Sequence, residues 1–174
     1  MQSPLVPSVI PSPPLVRWAG NIVDWTVIVI GGVMAAMIFV NVILHAFGKD
    51  LAWLTELGEF LMVWVTFLGG AAAAQRGAHM SINEFLDKLE PSGRRWADAA
   101  VQAFAMVVLA VLFYYGMGIV QGSWGTVLTT LEWPMSWQYM PLPIGAGLML
   151  FFAGWDLILI LRGVPREQRY PSAH

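Results

Sequence analysis

The sequence predicts an all-α integral membrane protein: four transmembrane helices plus short interfacial amphipathic helices. Three observations carry that prediction. Of its 174 residues 57% are hydrophobic and only 11% charged, against about 45–50% and about 25% in soluble chains. Four stretches are long and uncharged enough to cross a hydrocarbon core about 30 Å thick. The basic residues fall between and beyond those stretches, where topology rather than a binding patch would put them.

The same composition excludes other classes. A net charge of −2 argues for no nucleic-acid partner. The absence of cysteine rules out disulfides and thiolate metal sites.

Residues 1–14 contain five prolines and no basic residue. They lack the positive and apolar regions of a signal peptide and read as a disordered tail. Leu15 to Asp24, with Arg17 and Trp18, reads as an interfacial lead-in with an aromatic anchor. The membrane domain is expected over 15–163, and its first span over 25–47 has His45 as its only titratable group. The link Gly48 to Thr55 is short, so spans one and two are antiparallel neighbours.

The second span, 57–77, is the most patterned. Glu56 and Glu59 open it, an uncharged run from Phe60 to Gln75 follows, and Arg76 with His79 closes it. Glu56, Glu59, Val63, Thr66, Gly70, Ala73 and Gly77 recur at alternating spacings of three and four, which makes one face small or polar. Apolar burial gives helices no drive to associate in lipid, so small residues act by allowing close backbone approach. That face is expected to pack on protein, in this chain or in a second subunit.

Ser81 with Glu84 forms a capping box, and Ile82, Phe85, Leu86 and Leu89 share one helical face. This predicts an amphipathic helix over 81–90, lying in the interface and ended by Pro91. Arg94, Arg95 and Trp96 follow at phospholipid headgroup level. The third span is placed at 99–122, and 123–138 is read as a loop rich in Trp and Thr. Pro141 and Pro143 start the fourth span, 142–161, because a first helical turn tolerates proline. A short tail, 164–174, ends the chain.

Eight of the nine basic residues lie on one side of this four-span layout, and Lys49 alone on the other. Both termini are therefore expected in the cytoplasm of a bacterium, with 48–55 and 123–138 outside the inner membrane. Trp18, Trp53, Trp96, Trp133 and Trp137 fall at the interfaces, where aromatic anchors belong.

No residues here look catalytic. In this topology His45 and His79 lie a membrane apart and His174 is on a tail, so no pair can share an iron or zinc, and no cofactor is expected. Glu56 and Glu59 sit within reach of headgroup water, which favours an ion pair with Lys49 or a partner over a coupling site. Asp156, about 8 Å from its helix end, needs a partner to be buried, and Arg76, Arg94 and Arg95 are on its side.

A carboxylate, then Trp64-Val65-Thr66-Phe67-Leu68-Gly69-Gly70-Ala71-Ala72, then Arg76 and His79, resembles the small membrane subunit of tripartite ATP-independent periplasmic (TRAP) transporters. Trp137-Gln138-Tyr139-Met140-Pro141-Leu142-Pro143-Ile144-Gly145 is similar to that family's approach to its last helix, and the likeness runs from about Val23 to Leu161. It implies a non-catalytic scaffold subunit in sodium-coupled uptake of an organic acid. Its partners would be a large membrane subunit, a periplasmic solute-binding protein and phospholipid. It also implies a structural or interfacial role for His79 near Arg76. Other readings are a membrane anchor for a redox or other enzyme complex, and an autonomous small transporter. The spans show no mid-membrane helix break or inverted repeat of a solute-carrying core.

Overall fold

The computed structural model describes residues 13–49, 51–77 and 91–164, without the side chains of 91, 92, 94 and 95. Within them lie four helices long and apolar enough to cross a membrane. Helix α1 is Pro14–Ala46, α2 Ala52–Gln75, α3 Pro91–Gly122 and α5 Pro141–Leu161; α4 is the single turn Ser136–Tyr139. The amphipathic helix expected over 81–90 lies outside the described residues, as do both expected tails apart from Pro13, Pro14 and Val164.

Prolines mark three of the helix starts, where a missing N–H is no loss. Pro14 opens α1, so the lead-in 15–24 and the first span form one helix of 33 residues, about 50 Å long. Pro91 opens α3 eight residues ahead of the span expected at Ala99. Pro141 stands first in α5.

Helices α1 and α5 end alike. Gly48 and Gly163 take φ of 71° and 75°, and paired turn bonds close each end: Gly48 N–H to His45 and Lys49 N–H to Leu44, Gly163 N–H to Ile160 and Val164 N–H to Leu159. This is the Schellman arrangement, which satisfies carbonyls that a helix end would leave bare. Gly77, at φ 69°, plays the corresponding role after α2. Its glycine is accounted for by the left-handed backbone as well as by any packing face.

The long helices stand in a row. Among the described residues α1 packs on α2, α2 on α5, and α5 on α3, so that α1 and α3 occupy opposite edges and do not close a bundle. Val16 and Val23 of α1, Leu68, Ala71 and Ala72 of α2, and Phe152 of α5 form the buried cluster that unites the first three. In the α2–α5 contact a Cβ on Gly145 would lie 2.8 Å from Phe67 Cβ and 2.9 Å from its carbonyl oxygen, so only glycine allows this approach. Gly70 meets the end of Met149 one turn further on. The two contacts advance together along both helices, so α2 and α5 run parallel. Gln102 of α3, buried, donates to the Ala153 carbonyl of α5 at 3.0 Å.

Candidate functional site

Because Phe67 is level with Gly145, the start of α5 at Pro141 is level with Val63. The eleven residues of α2 before Val63 therefore rise about 16 Å beyond it. Against this projecting end lies the 123–135 loop. It folds back on itself through a bridge between Val127 and Pro134, with Leu128 N–H to the Trp133 carbonyl and Met135 N–H to that of Thr126, both 2.8 Å. Ser136, wholly buried, donates from Oγ to the Val120 carbonyl at 2.8 Å and fixes the loop's far end to α3.

Glu56 fastens the middle. Its Oε1 accepts the Thr129 N–H, and its Oε2 accepts those of Thr130 and Leu131, each at 2.7 Å. Successive amides of a turn that point one way form an anion-binding concavity, and here the anion belongs to the same chain. The sequence reading favours an ion pair of this carboxylate with Lys49 or a partner; within the chain both of its oxygens are engaged by backbone donors. One turn along α2, Phe60 meets Trp133 edge to face with ring centroids 5.7 Å apart.

Holding Thr130 against α2 leaves an open cavity of about 440 Å³ lined by Leu51, Ala52, Thr55, Glu56, Glu59 and Thr130. Glu59 is exposed. Glu132 follows the clamped turn at φ 54°, a left-handed conformation that side chains other than glycine adopt at some cost.

The rest of the α2 stripe divides. Gly70 packs within the chain, Ala73 is half-buried, and Thr66 is exposed with its hydroxyl returned to the Met62 carbonyl at 2.7 Å. At the opposite end of α2, Arg76 pairs with Asp24 of α1 at 2.6 Å. Arg76 was one of three cations offered to Asp156, and its described ion pair is this one. Asp156 is buried on α5. His79 and the side chains of Arg94 and Arg95 lie outside the described residues. Trp18 and Trp96 are exposed near one end of the row, and Trp53, Trp133 and Trp137 near the other. The Glu56 clamp escaped the sequence reading, because backbone amides 73 to 75 residues away leave no side-chain signature.

Four membrane-long helices in an open row, with a clamped loop at one end, define a multi-pass membrane protein. Residues 34–163 match the family model described as tripartite ATP-independent periplasmic transporters, DctQ component. The chain belongs to that family, which is a transporter component rather than an enzyme family, and that makes it a protein of the inner membrane. It is 30% identical over 115 residues to the ectoine TRAP transporter small permease protein TeaB of Halomonas elongata, covering 64% of this chain and 60% of that protein. The C4-dicarboxylate TRAP transporter small permease protein DctQ of Rhodobacter capsulatus is 27% identical over 106 residues, covering 60% and 47%. The sialic acid TRAP transporter permease protein SiaT of Haemophilus influenzae is 27% identical over 138 residues, which are 79% of this chain but 21% of that protein. The matches thus span about half of the small permease relatives.

Proposed function

We propose that this chain is the fixed small subunit of a sodium-coupled, binding-protein-dependent transporter of an organic acid. It supports a large membrane subunit that carries the solute. The observation that carries this reading is the row itself: one helix thick, it leaves broad apolar faces on α1 and α3 exposed. A stationary wall for a moving partner needs such faces. Glu59 and Thr66, exposed on α2, are candidates for contact with that partner.

The names of the relatives support the solute class, since ectoine, C4-dicarboxylates and sialic acid all carry a carboxylate. The long SiaT relative, only a fifth of which this chain matches, supports a large partner that in other systems is separate. Both termini are assigned to the cytoplasm, the 123–135 loop to the outside, and the 81–90 segment to the plane of the inner headgroups beside phospholipid.

Reconstitution in liposomes with a sodium gradient tests the reading. The chain alone should transport nothing, and uptake should need the large subunit and the solute-loaded binding protein as well. Sodium-dependent uptake by the isolated chain, or full uptake by the large subunit without it, would overturn the proposal.

A further inference from the structure

The two edges of the row differ in chemistry. On α1 every exposed residue from Ile28 to Ile43 is apolar, which suits acyl chains. On α3 the exposed face carries Tyr114 and Tyr115, 74% and 66% exposed. Their rings meet edge to face with centroids 5.4 Å apart, a contact that steadies both phenols on the outer surface of the helix. Neither hydroxyl has a hydrogen-bond partner among the described residues.

Their depth follows from the packing of α3 on α5. A Cβ on Gly116 would lie 3.1 Å from Leu142 and 3.2 Å from Pro143, and one on Gly147 would lie 3.4 Å from the Phe113 ring. The tyrosines are therefore level with Ile144 and Gly145, and through Gly145 with Phe67 of α2. Phe67 is eight residues from Glu59 and nine from Arg76, about 12 Å and about 14 Å along the helix. The phenols thus lie midway between the charged groups that bound the uncharged run of α2. A hydroxyl left without a partner in hydrocarbon is unfavourable, and tyrosines of membrane proteins gather at the interfaces, where the hydroxyl is wet. From this depth the side chain is too short to reach the headgroups. Acyl chains offer no acceptor, whereas a transmembrane protein segment does.

We propose that α3, and not α1, is the edge on which the large membrane subunit packs, with Tyr114 and Tyr115 donating hydrogen bonds to it inside the membrane. This rests on the function proposed above, which supplies that subunit, and adds which edge meets it and by what chemistry. The occupant is argued from the SiaT permease protein: the match takes up 21% of it, so most of that polypeptide is joined to the counterpart of this chain. The α1 edge is left to lipid.

The test uses the chain and the large subunit, each fluorescently labelled, together in liposomes across a dilution series in lipid. Tyr114→Phe with Tyr115→Phe removes both hydroxyls and keeps both rings. Association read by energy transfer should weaken about threefold for each hydroxyl and about eightfold for both, the scale of interhelical hydrogen bonds in membranes. The unfolding midpoint of the chain alone in detergent should not move. Independently, a photoreactive benzoylphenylalanine in place of Val111, one turn from Tyr115, should form an adduct with the large subunit. The same group in place of Val33 of α1, similarly exposed at 48% against 49%, should not. Unweakened association of the double phenylalanine variant would overturn the proposal, as would a lowered unfolding midpoint of the chain alone, which would give the hydroxyls to its own fold. So would an adduct with the large subunit from position 33, none from position 111, or an adduct from 111 to a second copy of this chain. Failure of the scaffold reading looks different, because there the unaltered chain would show no energy transfer with the large subunit at any dilution.

Discussion

Asp24 and Arg76 meet at 2.6 Å although fifty-two residues separate them, and they join α1 to α2 at the end remote from the Glu56 clamp. Helix α2 is thus fastened at both ends by a charged group, to a neighbouring helix at one and to a loop at the other. The two fastenings differ in exposure: the Arg76 side chain is 63% exposed, so solvent screens much of what its pair contributes.

A double-mutant cycle of Asp24→Asn and Arg76→Gln, read by unfolding in detergent, should give a coupling of about 0.5–1 kcal/mol, as for exposed ion pairs. A coupling above about 3 kcal/mol would mean that the pair is buried in the assembled protein.

Glycine substitutions should separate close backbone approach from side-chain contact. Gly145→Ala sets a methyl against the Phe67 backbone, which cannot retreat, and should cost about 1–3 kcal/mol. Gly70→Ala meets only the flexible end of Met149 and should cost less than about 1 kcal/mol. Equal losses in thermal unfolding would contradict the α2–α5 geometry.

Ser136 has no exposed surface, and its hydroxyl makes one described bond, to the Val120 carbonyl. Ser136→Ala should lose about 1 kcal/mol. Ser136→Leu should lose more, because the site has no room for the added carbons. If the leucine variant were as stable as the alanine one, the junction between α3 and α4 would be looser than described.

Single cysteines at Ser12, Ser92 and Ser172 should resist an impermeant thiol reagent in intact cells, while one at Thr130 should react. Labelling of the first three from outside would reverse the proposed orientation.

The four long helices were legible because uncharged runs of about twenty residues have few alternatives. Their ends were less so. Hydropathy marks where lipid lies, and α1 continues eleven residues ahead of Trp25 because Pro14 and the residues after it suit a helix whether or not lipid surrounds them. The stripe through Glu56, Thr66, Gly70 and Ala73 was a sound helical face, but periodicity cannot say which neighbour meets each residue. The structure gives Glu56 to a loop and Gly70 to α5, and leaves Thr66 exposed. Gly77 was read for its size, whereas its positive φ is the nearer cause.

The row of helices also bears on the permeability of the membrane. Among the described residues the long helices form a palisade one helix thick, which encloses no central axis along which water or ions could file. Copies of this subunit inserted before their partner arrives would therefore leave the ion gradients of the cell intact, and conductance measurements on bilayers containing the chain alone should match those of bare lipid.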